Sequence, residues 1–582
     1  MRTRFLSVIL TIIALLPTIA FAVNEDLAPE SATGILTQKQ ISARHQLVVT
    51  AHPLATQAGY KVLQQGGSAA DAAVAVQAML TLVEPQSSGI GGGAFMLYWD
   101  NSKQQLSAFD GRETAPASAD ENLFMTEEGS PMDWWDAMVG GRSVGTPGVL
   151  AMLELSQKKY GKQPWASLFR DAIEQSESGF TVSPRLHQLL ASKMNPGLGR
   201  YPQAREYFFT PAGEPLPVGY QLTNPRLAGS LRQIAERGAS ALYEGPLSEE
   251  IVAAVKQASD NPGKLEQSDL KDYRAVERQA ICRPFRQYRV CGFPPPTSGG
   301  VTTLQILRLM ELAEQQPLTA DTVDFYHLLS QASRLAYADR ARYLADSDFI
   351  QVPVDELLDD EYLQQRSKLI SPLKDMDKAH PGELPAKISR ADDRSPELPS
   401  TSHFVIVDRW GNAVSMTSSI EMAFGSTLMA GGFLLNNQLT DFSFVAEADG
   451  KPVANRVQPG KRPRSSMSPM MVFDQDNHLI AALGSPGGSR IISYVAKNLY
   501  LKLSSDTSLQ QAFNSPHVVN RNGVTELEAG TSAEQFAEPL QALGHEIKIR
   551  DLNSGLHGFF RQTDGSWESA VDPRREGTAR GD

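Results

Sequence analysis

In LPSTSHFVIVDRWGNAVSMTSS, residues 398–419, Thr401 follows Pro399-Ser400 and opens a strand-like run. Packing alone accounts for a threonine there, because a β-branched side chain suits a pleated surface. A backbone cut before Thr401 would give it a second use. A hydroxyl is a poor nucleophile until a base takes its proton, and the cut would place an α-amine on the same residue. Such an amine has a pKa of about 7.7–8.0, against about 10.4 for lysine. Deprotonating it at pH 7 costs roughly 1 kcal/mol, where an ordinary lysine costs about 4.6 kcal/mol. One residue then supplies both nucleophile and base. The chain also changes character at this point. Residues 372–400 are rich in proline and charge with little apolar periodicity, which predicts a surface linker or mobile tail.

Three further stretches could complete such a site. LGSPGGSR (483–490) packs glycines and serines into a tight turn. Successive backbone N–H groups in such turns can hold an anion or a developing oxyanion, although a plain turn has the same composition. G-x-x-x-x-G-K-[ST] is absent, so it is not a phosphate loop. KRPRSSMSP (461–469) sets Ser465 and Ser466 behind a basic cluster suited to a carboxylate, or forms a solvated loop. LLNNQLTDFSF (434–444) places Asn436, Asn437, Gln438 and Asp441 after a strand, where they could receive a cationic amine or simply make an Asx-rich turn.

Alternating helices and strands must hold these groups. Leu54, Ala58 and Val62 share one helical face, and Gly66-Gly67 ends that helix. Ser68 with Asp71 reads as an N-cap for a second helix that is apolar all round, hence internal. AFMLYWD reads as a strand. SGIGGGA before it meets G-x-G-x-x-A, but a helix precedes and a strand follows, the reverse of a dinucleotide loop. From about Asn224 to Leu369 the pattern is mainly helical, with Asn224 as cap and Pro225 in the first turn. HFVIVD, AVSMTSS, FLLNN, MMVFD and LIAAL then read as strands, followed by an α/β tail. No internal repeat is evident.

Composition narrows the class. The 582 residues are 41% hydrophobic and 21% charged, ample for a large core. A net charge of -12, with no basic run of five or more residues, argues against nucleic acid as partner. The N-terminus carries Arg2 and Arg4, an apolar stretch broken at Pro17, and Ala20-Phe21-Ala22. That is a signal-peptide pattern over 1–22, too short and too broken for a membrane anchor, so the mature chain is expected to begin at Val23 and be exported. Cys282 and Cys291, the two cysteines, lie in ICRPFRQYRVCGF. A short hairpin there could bring the sulfurs together, and in an oxidising compartment a disulfide is expected over free thiols. C-x₂-C and H-E-x-x-H spacings are absent.

The chain resembles the γ-glutamyltransferase family, also called glutathione hydrolases, of the N-terminal nucleophile hydrolases. The resemblance is carried by GGSAADAAVA, SSGIGGGAFML, FDGRETAP, FPPPTSGG, YADRARYLAD, TSHFVIVDRWGNAVSMT, FLLNNQLTDFS, KRPRSSMSP, GSPGGSR and DPRREG, in that order, across nearly the whole mature chain. It implies an α/β (α+β) fold, a four-layer αββα sandwich, made as one precursor that cleaves itself. Thr401 matches the nucleophile in its Thr-[Thr/Ser]-His context, so the implied cut lies between Ser400 and Thr401. A large subunit, 23–400, and a small subunit, 401–582, would remain together as a heterodimer. Arg112 matches an arginine that pairs with the α-carboxylate of a γ-glutamyl group, and an arginine fork suits that geometry. Ser465 and Ser466 match a serine pair on the same carboxylate. Gln438 and Asp441 match residues around the α-ammonium, Gly487 and Gly488 the oxyanion hole, and Ser419 a hydroxyl that supports the threonine amine and assists processing.

The implied reaction is attack of Thr401 Oγ on a γ-glutamyl amide, as in glutathione or glutamine-like compounds, then transfer to water or to amino acids and peptides. No metal or organic cofactor is implied, and periplasmic or secreted location is. Two departures stand out. Glu421 occupies a place where family members carry asparagine near the ammonium; a carboxylate there can reinforce Asp441 or repel it, and both readings stay open. Between Phe442 and Gly460 there is no tyrosine or tryptophan, whereas some members close the site with a tyrosine-bearing lid. Two other functions compete: a related acylase acting on glutaryl amides, and an unprocessed, inactive exported protein that binds γ-glutamyl peptides. Asp441 argues against the first, since a glutaryl group brings no cation.

Overall fold

Alternation along the strand Ser402–Val407 shows how the layers are built. In the computed structural model, which describes residues 39–386, 388–395 and 400–582, Phe404 and Ile406 join a core shared with the helices Pro53–Gln64 and Ala69–Val83. Val405 and Val407 join the opposite core, which they share with a second sheet. The first seven-stranded sheet runs Thr578–Gly581, Leu47–Thr50, Ser402–Val407, Ala413–Ser419, Gly93–Asp100, Gln105–Gly111, Val276–Arg278. The second runs Ser42–Ala43, Trp567–Val571, His557–Arg561, Leu479–Gly484, Met470–Phe473, Tyr288–Gly292, Ile281–Phe285. Neighbouring strands are antiparallel in both. The helices Gly299–Ala313, Val323–Tyr343 and Ile491–Ser504 cover the second sheet. This is the expected αββα sandwich, and residues from both sides of Ser400–Thr401 build each sheet.

Local signals explain the elements nearest the seam. Ser68 and Asp71 form a reciprocal capping box at the start of Ala69–Val83, whose residues are all buried. The hairpin Ser402–Val407/Ala413–Ser419 pairs Ser402 with Ser418, so Thr401 and Ser419 fall side by side at one end of the central strands. The glycine run before Ala94 serves this approach: a Cβ on Gly92 would lie 2.2 Å from the Ser419 carbonyl oxygen, and one on Gly91 2.2 Å from that of Leu434. The hairpin Ile281–Phe285/Tyr288–Gly292 sets Cys282 opposite Cys291, and the two form a disulfide.

Part of the segment expected to be a surface linker or mobile tail has partners among the described residues. The described residues from Ile370 to Ser395 form no helix or strand beyond an isolated bridge from Ala391 to Val453, yet several are anchored. Asp375 forms a two-pronged ion pair with Arg334 (3.0 and 2.7 Å), and Asp393 pairs with Arg464 at 3.0 Å. Proline and charge exclude helix and strand here, but buried carboxylates bind the segment to the body. The signal-peptide region lies outside the described residues; among those described, no helix is long and apolar enough to cross a membrane.

Buried imidazoles give the fold a defined acid limit. Burial pushes His52 and His557 down to about 4, and His403 and His517 well below 6.5. Unfolding exposes them at their ordinary value, so the unfolded chain binds more protons below pH 6.5. Their contribution is complete above pH 6.5 and is lost as pH falls towards 4, at up to about 1.4 kcal/mol per pH unit for each histidine. Calorimetry should therefore find a melting temperature that falls steeply between pH 6 and 4.5. A flat profile down to pH 4.5 would contradict the assignment.

Candidate active site

At the seam, two hydroxyls converge on one carbonyl. Thr401 Oγ1 lies 2.5 Å from the Ser400 carbonyl oxygen, and Ser419 Oγ donates to that same oxygen at 2.8 Å. The two hydroxyls are 3.3 Å apart, and Ser419 Oγ also accepts from the Glu421 N–H at 2.8 Å. The peptide is held from both sides: Ser400 Oγ donates to the Gln86 carbonyl (2.8 Å), and Arg575 Nη1 donates to that of Thr401 (3.1 Å). Thr401 is 3% exposed and opens onto a small cleft. Ser400, Ser419, Glu421, Gln438 and Asp441 line that cleft, as do Ser465, Ser466 and Gly488.

The glycine turn reaches the cleft between the strand Leu479–Gly484 and the helix Ile491–Ser504. Gly487 and Gly488 have φ of 135° and 58°, which turns the backbone sharply ahead of the helix. The helix N-terminus thus adds its partial positive charge on that side. Gly488 lines the cleft and Gly487 lies one residue behind.

Glu421 and Asp441 make the cleft's acidic groups. Gln438–Asp441 is a single 3₁₀ turn, and Asp441 Oδ2 accepts from Arg112 Nη2 (2.5 Å) and Gln438 Nε2 (2.9 Å). Glu421 holds a left-handed conformation, φ 78°, and accepts from Asn437 Nδ2 at 2.7 Å. Arg112 differs from the expected placement. Its guanidinium is fully buried behind Asp441 and also donates to the carbonyls of Pro463 (3.0 Å) and Arg464 (3.1 Å). Beside it Glu113 is wholly enclosed, and burial pushes its carboxyl up to about 8.

The serine pair has a different cation from the one its sequence neighbours suggest. Lys461 Nζ bonds the Ala454 carbonyl (2.7 Å), Arg462 the Arg274 carbonyl (2.9 Å), and Arg464 the Asp393 carboxylate (3.0 Å). The charge beside Ser466 comes instead from Arg340 on Val323–Tyr343, whose Nη2 donates to Ser466 Oγ at 2.7 Å while its Nε donates to Ser298 Oγ at 2.8 Å. FPPPTSGG completes the clamp: the Ser298 N–H and hydroxyl both donate to the Ser465 carbonyl, at 2.8 and 2.7 Å. Arg340 and Arg575 sit in YADRARYLAD and DPRREG, two of the motifs that carry the family resemblance, although nothing in the sequence marked their contacts.

A buried hydroxyl, a glycine turn, two carboxylates and a hydroxyl-plus-guanidinium group around one cleft would suit acyl transfer from a compound bearing both an ammonium and a carboxylate. A family model, Gamma-glutamyltranspeptidase, matches residues 55–581. The chain belongs to the γ-glutamyltranspeptidase family. A glutathione hydrolase proenzyme of Bacillus subtilis is 33% identical over 92% of this chain and 91% of its own length. An "Acylase ACY 1 proenzyme" from a Pseudomonas strain (SE83) is also 33% identical, over 94% and 96%. Among solved structures, a cephalosporin acylase from Bacillus halodurans superposes with a TM-score of 0.81 at 26% identity, covering 95% of this chain and 99% of the other. γ-Glutamyltranspeptidases and acylases therefore share this fold, and the groups lining the cleft must separate them.

Proposed function

We propose that the chain is an exported, self-processing γ-glutamyl hydrolase and transferase. Thr401 Oγ attacks the Ser400 carbonyl carbon, the oxygen that gains charge is held by Ser419, and the C–N bond breaks as the hydroxyl proton passes to the departing nitrogen, leaving the acyl group on Thr401 as an ester beside a free α-amine. Water then releases Ser400 as a carboxylate, giving 23–400 and 401–582, which stay together because both sheets need strands from each. The α-amine of Thr401 next accepts the proton of its own hydroxyl as Oγ attacks a γ-glutamyl amide. The amine leaving group departs protonated, and water or an amino acid takes the γ-glutamyl group. Gly487 and Gly488 hold the oxyanion, Asp441 with Gln438 and Glu421 the ammonium, and Ser465 and Ser466 the carboxylate, with Arg340 and Arg112 behind.

The observation that carries this reading is the double contact of Thr401 and Ser419 on the one carbonyl between Ser400 and Thr401. The ammonium of the substrate separates it from a glutaryl acylase, because two carboxylates, Glu421 and Asp441, line one end of the cleft. Purified protein should cleave γ-glutamyl p-nitroanilide with a kcat/KM at least about 100-fold above that for glutaryl p-nitroanilide. A preference for the glutaryl compound would favour the acylase. No turnover of either, with one full-length band, would favour the binding protein.

A further inference from the structure

Each hydroxyl of the serine pair receives an N–H. Ser466 Oγ accepts from Arg340 Nη2 at 2.7 Å, and Ser465 Oγ accepts from the Met467 N–H at 3.1 Å. A hydroxyl carries one proton and two lone pairs. An oxygen that takes an N–H on one lone pair turns its own proton in another direction, so both serines act as donors. Both line the cleft. The same guanidinium also sets the backbone beneath them. Arg340 Nε donates to Ser298 Oγ (2.8 Å), and the Ser298 hydroxyl donates onward to the Ser465 carbonyl (2.7 Å). The Ser298 N–H meets that carbonyl too, at 2.8 Å, while the Ser465 N–H donates to the Pro296 carbonyl at 3.2 Å. One edge of a planar fork therefore commits the Ser466 oxygen directly and the Ser465 backbone through Ser298. Arg340 stands in the last turn of the helix Val323–Tyr343, whose other residues are mostly buried. The clamp joins residues 298, 340 and 465–466, none of them in the stretch 372–400.

We propose that Arg340 is a positioning residue that makes the serine pair select a charged α-carboxylate over a neutral group of the same shape. This rests on the γ-glutamyl reading above and adds what discriminates at the serines. Arg340 acts through Ser466 and Ser298: it fixes the direction in which the two hydroxyl protons point. An ionised carboxylate only accepts hydrogen bonds, so two fixed donors suit it. A carboxamide of equal size turns an NH₂ towards one of those donors and is rejected. Lysine could replace the charge but not the fork, since one ammonium lacks the fixed pair of parallel N–H groups.

The test compares γ-glutamyl p-nitroanilide with its α-carboxamide analogue, which keeps the ammonium and the scissile amide but loses the negative charge. Wild-type protein should prefer the carboxylate compound by about 30-fold or more in kcat/KM. In Arg340→Met that preference should fall to about threefold or less, through KM for the carboxylate compound, with kcat within about threefold. Arg340→Lys and Ser298→Ala each keep part of the clamp and should give intermediate ratios. An unchanged ratio in Arg340→Met, or equal losses on both compounds, would overturn the inference, because a general structural role does not discriminate charge. Should Arg340→Met fail to fold or to process, the other two variants decide: a wild-type ratio in both overturns it. Wild-type protein that turned over neither compound would sink the γ-glutamyl reading instead. The melting temperature would then test Arg340 separately. L-glutamate should stabilise the wild type more than L-isoglutamine does, and Arg340→Met should abolish the difference. Equal stabilisation of the wild type by the two would overturn the inference on its own.

Discussion

Thr401→Ala protein is expected to purify as one full-length polypeptide with no measurable γ-glutamyl amidase activity, while Thr401→Ser yields both fragments at a reduced rate. Alanine removes the only atom of that side chain able to form the ester, so neither the cut nor the later acyl transfer has a path through residue 401. Serine keeps the hydroxyl and the α-amine but loses the methyl group that limits rotation about χ1. The loss in the alanine variant should reach the detection floor, because one atom is asked to serve both reactions. Gel electrophoresis of the purified variants and a steady-state assay read the two consequences separately. The Thr401→Ala fold itself should be intact: the residue precedes the strand, and the hairpin register from Ser402 to Val407 does not involve its side chain.

Gly487→Ala should separate the two reactions that Thr401→Ala abolishes together. At φ 135° a residue with a Cβ is strained, and the added atom would stand 2.8 Å from the Tyr494 ring. The backbone must shift, and with it the N–H groups proposed to meet the oxyanion of the amide substrate. Losing one such donor costs about 2.7–4 kcal/mol, or about 10²–10³ in kcat. Self-cleavage uses a different donor, since Ser419 Oγ already holds the Ser400 carbonyl oxygen. The variant should therefore process to two fragments and turn over 100- to 1,000-fold more slowly, with KM changed by less than about threefold. A processing defect as large as the turnover defect would mean that both reactions share the glycine turn.

Much of this arrangement was legible in the chain because the signals are local. The capping pair Ser68 and Asp71, the buried helix behind it and the hairpin after Thr401 each depend on residues within one element, and they form as read. The acidic turn at Gln438–Asp441 and the serine pair also fall on the cleft, since their motifs fix both residue type and spacing. What could not be read depends on partners distant in sequence. The cluster Lys461, Arg462 and Arg464 looked available to a carboxylate, but each side chain is committed to an internal acceptor, and the cation at Ser466 comes from Arg340, 126 residues away. Arg112 reads as a substrate ligand, yet with its charge matched by Asp441 it lies behind the cleft. Residues 372–400 have the composition of a tail, and the ties of Asp375 to Arg334 and of Asp393 to Arg464 are visible only in the tertiary structure.

The central claim is that the backbone opens at a single peptide and thereby arms the residue that follows. N-terminal sequencing of the smaller fragment of purified, active protein tests it most directly. The expected sequence is Thr401-Ser402-His403-Phe404, in yield matching the fragment. An active preparation that remains one polypeptide, or a fragment that begins at any other residue, would contradict it.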